Sequence, residues 1–302
     1  MEHRKSYVRE LLFPILAAFI WGTAFVAQSV STDFVEPFTF NTLRSFIAFA
    51  VLFFVARIFK KRREKNPNAE KKTGTRADLI KGGICCGVLL AIASNLQQLG
   101  LGETSAGKAG FITALYVVLV PVFGLFLKKK VSLPVWISVA LSVVGLYLLC
   151  ITQDFAIVIS DFYIFLCAIF FAIHILCIDH FVEKVDGVEL SCVQFLVAGI
   201  VAGGLMLAFE HPEWENILHC LGPILYVGVF SSGVAYTLQI LSIDGSDPTV
   251  VTILLSLESV FSVLAGAVIL GDKMSGREYL GCVIMFAAVL LAQIPFPNRS
   301  KK

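Results

Sequence analysis

Long apolar runs separated by short polar segments occupy nearly the whole chain. A helix needs about 20 apolar residues to cross the hydrocarbon core of a bilayer. Ten runs of roughly this length lie at 9–30, 37–58, 79–101, 105–127, 133–151, 158–178, 189–209, 217–241, 248–270 and 277–296. Strands are excluded because an open sheet cannot satisfy its edges in lipid, and a barrel would show short alternating segments. The pattern predicts an all-α polytopic membrane protein with ten transmembrane helices.

The composition agrees with a protein surrounded by hydrocarbon. Of the 302 residues, 57% are hydrophobic and 15% are charged, whereas soluble domains are about 45–50% apolar and about 25% charged. A soluble fold of this length could not bury the excess apolar surface. The eight cysteines lie mostly inside apolar runs and form no CxxC pair, which favours small core residues over a redox or metal role.

The positions of lysine and arginine predict the orientation in the membrane. With the N-terminus inside, twenty of the 24 basic residues fall in inner segments and Arg44 falls within a helix. Only Lys108, Lys273 and Arg277 fall in outer segments. This asymmetry satisfies the positive-inside rule. We therefore expect a multi-pass protein of the cell membrane with both termini in the cytoplasm.

The two halves of the chain resemble each other at an offset of about 142 residues. Residues 94–97, Ser-Asn-Leu-Gln, align with residues 236–239, Tyr-Thr-Leu-Gln. In both halves a short polar turn and a further apolar helix follow. Each unit then holds five helices, and because five is odd the second unit enters the membrane inverted. The sequence predicts repeats over 1–152 and 153–302 that together form one transmembrane domain around a central cavity.

Five short motifs occur in a characteristic order along the predicted helices. They are Ile20-Trp21-Gly22-Thr23, Pro37-Phe38 with Arg44, Thr104–Gly110 with Pro121, Leu257–Phe261, and Gly271–Ser275. In this order the chain resembles the ten-helix EamA-like branch of the drug/metabolite transporter superfamily. Ser259 stands where that family often has proline, and Asp272-Lys273 where it often has glutamate.

The resemblance implies that each predicted repeat is an EamA-like unit. It also implies export or uptake of amino acids, metabolites or drugs by alternating access, without ATP hydrolysis. The two departures weaken any transfer of substrate identity.

Glu258 is the leading candidate for a functional side chain. It lies near the middle of the run 248–270, with Ser259 and Ser262 close by. Ionisable residues at this depth are costly and are often functional. A carboxylate there could bind a cationic group or carry a coupling proton, or it could be a neutral group that packs helices.

Arg44 and His174 are further ionisable groups inside predicted helices. The Arg44 side chain could reach outward to carbonyls and lipid headgroups, which we favour, or contact a substrate carboxylate. His174 could be a satisfied core residue, or a substrate-binding and proton-coupling residue because it titrates in the physiological range.

Six polar or aromatic side chains complete the candidate substrate site. Residues three or four positions apart share a helical face, and two such pairs lie on repeat-related helices. Helix packing and hydrogen bonding between helices are the alternative for each. The candidates are Trp21, Asn95, Gln98, Tyr116, Tyr236 and Gln239.

Together these features favour a secondary transporter of a small metabolite, with export favoured over uptake. An amino acid, an amine or an aromatic, drug-like solute suits the predicted cavity. The expected partners are this solute, the lipid bilayer and a coupling proton, without nucleic acid; monomer and homodimer both stay open. The sequence holds no GxxxxGK[ST] or GxGxxG motif, and we expect no cofactor and no metal.

Two other classes stay open as alternatives. A membrane sensor or assembly factor would need no transport pathway, but no soluble signalling domain is apparent. An intramembrane enzyme would need paired catalytic groups, and His174 has no HExxH partner. We therefore expect a protein that is not an enzyme.

Overall fold

A computed structural model describes residues 8–64, 72–103, 106–150, 158–265, 267–268 and 274–292, and every element in these ranges is helical. We number ten helical segments α1 to α10. They are α1 (Val8–Leu12, π-helical, then Phe13–Ser31), α2 (Pro37–Glu64), α3 (Arg76–Leu101), α4 (Ala106–Ala114 and Tyr116–Phe126), α5 (Leu133–Cys150), α6 (Ile159–Val182), α7 (Gly187–Phe209), α8 (Leu221–Tyr226, Val227–Ala235 as a π-helix, and Tyr236–Ile243), α9 (Pro248–Leu255 and Glu258–Ala265) and α10 (Gly276–Ala292). A short surface helix, Trp214–His219, precedes α8.

Eight of these segments are long and apolar enough to cross a membrane, namely α1 to α4 and α6 to α9. In α5 the apolar stretch Leu133–Leu149 is shorter, and α10 has 17 residues. The prediction of an all-helical polytopic membrane protein is confirmed for the described residues. Membrane crossing by α5 and α10, which ten spans require, stays a prediction.

The outer surface of the bundle is apolar. Large hydrophobic side chains point away from the protein on several helices, among them Phe54 (66% exposed), Leu207 (80%) and Leu290 (71%). A water-soluble monomer does not expose contiguous apolar patches of this extent. The surface therefore fits a hydrocarbon environment, in which these side chains lose nothing by facing outward.

The helices pack in pairs that recur five helices further along the chain. α3 packs on α6 and α7, while α8 packs on α1 and α2. α4 packs on α6, and α9 packs on α1. The pairs α2–α7 and α5–α10 each join one helix to its own counterpart. The predicted boundary at 152 and 153 lies outside the described residues, so the division into two inverted units stays a prediction.

Glycines allow the backbones of α5 and α10 to approach closely. A Cβ on Gly281 would lie 2.8 Å from the backbone oxygen of Gly145 and 2.8 Å from the backbone nitrogen of Leu149. Small residues at such crossings are the main source of tight helix association in lipid, where no hydrophobic driving force acts between helices. The α5–α10 pair is therefore held by backbone contact.

The start of α2 is fixed by a residue that is distant in sequence. Glu210, directly after α7, accepts hydrogen bonds from the backbone N–H of Phe38 (2.7 Å) and of Thr39 (2.6 Å), and from the Thr39 hydroxyl (2.7 Å). These N–H groups have no partner within the helix, and a carboxylate there also interacts favourably with the helix dipole. Glu210 thereby sets the position of α2 and of Arg44 seven residues further along.

Replacement of Gly22 by alanine is expected to destabilise the protein, because α1 and α9 touch at this point. An added Cβ would lie 2.5 Å from the Cβ of Phe261 and 2.7 Å from the backbone oxygen of Glu258. Overpacking of this kind costs about 1–3 kcal/mol. Thermal unfolding in detergent measures the loss. Gly204→Ala is the matched control, since nothing lies within 4 Å of a Cβ there; equal midpoints for the two variants would contradict this packing.

Candidate functional site

Two helices are interrupted near their middles, at positions related by the repeat offset. In α4 the backbone N–H of Leu115 bonds to the carbonyl of Ile112, three residues back (3.2 Å). In α9 the N–H of Leu257 bonds to the carbonyl of Leu254 in the same way (3.2 Å). Positions 115 and 257 differ by 142 residues. A short tightening to three-residue hydrogen bonds inside a helix often marks a functional hinge.

The residues that follow the two interruptions meet each other. The Tyr116 hydroxyl donates a hydrogen bond of 2.9 Å to Oε1 of Glu258. Both side chains are about 4% exposed, and they too are 142 positions apart. Among the described residues no lysine, arginine or histidine lies within 4.0 Å of the Glu258 carboxylate. Glu258 is thus a buried acid whose ionised form has no positive partner.

A cavity of about 40 Å³ opens beside this pair. Residues from α1, α2, α3, α4, α6, α8 and α9 line it. They are Trp21, Phe25, Gln28, Arg44, Gln97, Thr113, Tyr116, Phe171, Ile175, Ser231, Tyr236, Gln239 and Glu258. The lining combines aromatic rings, carboxamides, one cation and one acid, which is typical of a site for a small organic solute.

Arg44 points into the bundle and not toward the headgroup region. Its side chain is 3% exposed, and it donates to Oε1 of Gln28 (2.8 Å) and to the Ser94 hydroxyl (3.3 Å). Among the described residues no carboxylate lies within 4.0 Å of the guanidinium. The sequence favoured an Arg44 side chain that reaches outward to carbonyls and lipid headgroups. This prediction is wrong, because the guanidinium donates to neutral oxygens inside the bundle.

The π-helical part of α8 presents a backbone group to the cavity. The Trp21 indole N–H donates to the carbonyl oxygen of Ser231 (3.2 Å) within this segment. The Trp21 ring packs edge-on against Tyr236, with centroids 4.8 Å apart. Tyr236 in turn interacts electrostatically with Arg44 and with Glu258. Trp21 and Tyr236 thus form an aromatic part of the wall of the cavity that Arg44 and Glu258 also line.

Five of the eight candidate substrate residues line the cavity, namely Trp21, Tyr116, Tyr236, Gln239 and Glu258. The other three lie behind it. Asn95 accepts from Asn41 (2.9 Å), and Gln98 donates to the Ser31 hydroxyl (3.2 Å). The structure does not place Asn95 and Gln98 on the cavity wall as predicted. Their positions on α3 direct them toward α2 and toward the end of α1.

His174 also lies outside the cavity lining. It is fully buried, its Nε2 is 3.0 Å from Oε1 of Gln194, and its ring lies edge-on to Tyr236. The prediction that His174 contacts a solute directly does not match this position, because His174 is not among the residues that line the cavity. A proton-coupling role, for His174 as for Glu258, stays a prediction.

Gln97 and Gln28 are cavity residues that the sequence reasoning left out. Gln97 lies on the cavity wall while its neighbour Gln98 does not, and its side-chain nitrogen is 3.3 Å from the Thr113 hydroxyl. A signal for Gln97 was present, because at the offset of 142 it aligns with Gln239. Gln28 shares a helical stripe with Trp21 and Phe25, and all three line the cavity.

Comparison with known proteins assigns the family. The model of the EamA-like transporter family matches residues 8–151 and again residues 158–293. The chain belongs to the EamA-like transporter family. An uncharacterized transporter of Archaeoglobus fulgidus is 29% identical over 288 residues, covering 92% of this chain and 84% of that protein. The uncharacterized transporter YwfM of Bacillus subtilis is 23% identical, covering 93% and 92%.

A solved crystal structure shares the fold of this EamA-like protein. The two superpose with a TM-score of 0.75 at 17% sequence identity, covering 94% of this chain and 96% of the other. The family and its named relatives agree with a multi-pass membrane transporter.

In this EamA-like protein, Tyr116→Phe is expected to lower stability by about 1–3 kcal/mol, since a buried carboxyl group loses its hydrogen-bond donor. Thermal unfolding in detergent measures the change. Tyr279→Phe is the matched control because that side chain is 59% exposed.

A Glu258→Gln background tests whether the loss comes from this one contact. The loss in the free energy of unfolding of the double variant should be smaller than the sum of the losses in Tyr116→Phe and Glu258→Gln, by at least about 0.5 kcal/mol, as for residues in direct contact. Strict additivity would mean that the two side chains do not stabilise each other.

Proposed function

We propose that this protein is a secondary transporter that exports a small amine-bearing metabolite, best an amino acid, by alternating access. The observation that carries the proposal is that Arg44 and Glu258, two ionisable groups without a counter-charge among the described residues, line one buried cavity. Isolated charges inside a membrane protein are unfavourable and mark solute or ion pathways. A fold that needed only packing would gain stability by pairing or replacing them.

The two groups match the two ends of a zwitterion. The Arg44 guanidinium has donors for a planar carboxylate, and the Glu258 carboxylate accepts from an ammonium group. Tyr236 lines the same cavity, and Trp21 and Phe171 offer apolar surface to a side chain. A bound amino acid would provide a counter-charge to each of these two buried groups, which none of the described residues provides.

A proton and an ammonium group compete for the same carboxylate in this arrangement. Glu258 is 4% exposed and has one neutral hydrogen-bond partner, Tyr116. Burying its ionised form is costly, so the empty site favours a bound proton and the loaded site a bound ammonium group. Exchange of one for the other couples an inward proton gradient to outward solute movement.

The packing of the helices supports alternating access. Three helix pairs have a counterpart five helices further along the chain. The pair α3–α6 corresponds to α8–α1, α3–α7 to α8–α2, and α4–α6 to α9–α1. Two EamA-like units in inverted orientation would produce this correspondence, with the site at their interface. The interruptions at Leu115 and Leu257 let the halves of α4 and α9 tilt about the site.

Glu258→Gln is expected to abolish proton-driven transport while the protein stays folded, because a carboxamide cannot exchange a proton. Flux of a mixed amino-acid pool from proteoliposomes with an imposed pH gradient measures this. Glu213→Gln, at an exposed acid on the loop before α8, should transport like the unchanged protein. Full activity of Glu258→Gln at every pH would remove this residue from the mechanism, and the absence of flux in the unchanged protein would favour a sensor or assembly factor.

Arg44→Gln is expected to discriminate between an amino acid and its decarboxylated amine. Removing one partner of a buried charge pair costs about 2–5 kcal/mol, so binding of phenylalanine should weaken at least about tenfold. Binding of phenethylamine, which has no carboxylate, should change little. Calorimetry in detergent with both ligands measures the difference, and Arg57→Gln at an exposed position is the control. An equal loss for both ligands would exclude a carboxylate contact.

A further inference from the structure

A layer of hydrogen-bonded polar groups closes the cavity toward the end of the bundle that the charge pattern places outside. The Gln98 side chain, 1% exposed, donates to the backbone oxygen of Gln28 (3.3 Å) and to the Ser31 hydroxyl (3.2 Å). Gln98 lies three residues before the end of α3, or roughly 4.5 Å at 1.5 Å per residue. The layer is therefore thin and close to the helix ends.

Open space lies on both sides of this layer. Gln28 lines the central cavity. Gln98 lines a second, outer space of about 340 Å³. The remaining walls of this outer space are the loop from Thr32 to Pro37, Leu99 and Gly102. The contact between Gln98 and Gln28 thus joins a wall of the cavity to a wall of the outer space.

A small apolar cluster lies at the same end of the bundle as this polar layer. Phe25, 3% exposed, lines the central cavity and packs with Leu101, Ala109, Ile112 and Ile164 from α3, α4 and α6. None of these residues belongs to the large main core of the bundle. Displacement of the outer end of α1 would separate Phe25 from this cluster and Gln98 from Gln28 together.

The opposite end of the bundle is closed in a different way. At the offset of 142 the counterpart of Gln98 is Ile240, which is fully buried in the main core. Asp244 beyond α8 forms an ion pair with Lys72 (2.7 Å). The position that corresponds to Gln98 is therefore apolar at this end, and it offers no hydrogen-bonding group to a solute.

We propose that Gln98 and Phe25 form the outer gate, and that Gln98 is a specificity-determining residue on the solute's path between α1 and α3. Oε1 of Gln98 is buried and has no hydrogen-bond partner in the structure. It offers an acceptor to an ammonium or amide donor that passes from the cavity to the outer space. The inference rests on the proposed transport function and assigns its outer route.

Cysteine accessibility tests the gate without any solute. The eight native cysteines are replaced by alanine or serine, and Ser231→Cys places one thiol on the cavity wall. A charged, membrane-impermeant methanethiosulfonate is added to intact cells or to inverted vesicles. Glu213→Cys in the same background identifies the face on which the outer loops lie.

The thiol at position 231 should react faster from the Glu213 face. Phe25→Ala and Gln98→Ala should each raise this rate at least about fivefold, the effect of shifting a closed–open equilibrium by about 1 kcal/mol. Val30→Ala is the matched control, at similar depth on α1 but 42% exposed, and should leave the rate unchanged. Gln98→Ser serves as the second variant if size-exclusion chromatography shows that Gln98→Ala is misfolded.

Three results would overturn the gate: faster reaction from the opposite face, equal rates in the gate variants and Val30→Ala, or no reaction from the Glu213 face in any variant. Flux measurements separate this outcome from the proposed function. A gate that responds as expected in a protein without flux would overturn transport alone, and flux with an unresponsive thiol would overturn the gate alone.

Discussion

The enclosure of two unpaired ionisable groups within hydrocarbon determines how this protein is built. Arg44 stays charged in any surroundings, and Glu258 is buried beside it in the same cavity. Neither group can face lipid without a large cost in free energy. Seven helices therefore turn their polar residues inward around one space, and their outer faces are left to large apolar side chains.

The hydrogen bonds around the cavity follow from this enclosure. Gln28 and Ser94 accept hydrogen bonds from two nitrogens of the guanidinium, and Tyr116 donates a hydrogen bond to the acid. These partners stabilise each side chain in place but do not neutralise it. The site is thus preorganised around two ionisable groups that have no counter-charge among the described residues, which is the condition under which a charged solute gains the most from binding.

Much of the fold could be predicted from the sequence because burial in lipid leaves a strong signal. Continuous apolar runs indicated the helices, and the rarity of acids within them singled out Glu258. The interruptions at Leu115 and Leu257 had no such signal, since neither position is a proline or a glycine. The contact between Glu210 and the start of α2 had none either, because the two are 171 residues apart.

The wall of the cavity was harder to predict than its existence. Successive residues on a helix differ by about 100° in direction, so Gln97 and Gln98 point to different neighbours. Only the packing of α3, which is mainly against α6 and α7, decides which of them faces the cavity. Arg44 posed a similar problem, because a long cation near a helix end can turn either way and the nearby oxygens of α1 and α3 decide the direction.

The α5–α10 pair stands apart from the cavity. Neither helix contributes a described side chain to the cavity wall, and Gly145 and Gly281 bring their backbones into direct contact. Two helices joined so tightly have little freedom to slide past each other, so they form one rigid unit beside the helices that line the cavity. Substitutions in the cavity wall can then change its shape and polarity while the spacing of this pair stays the same.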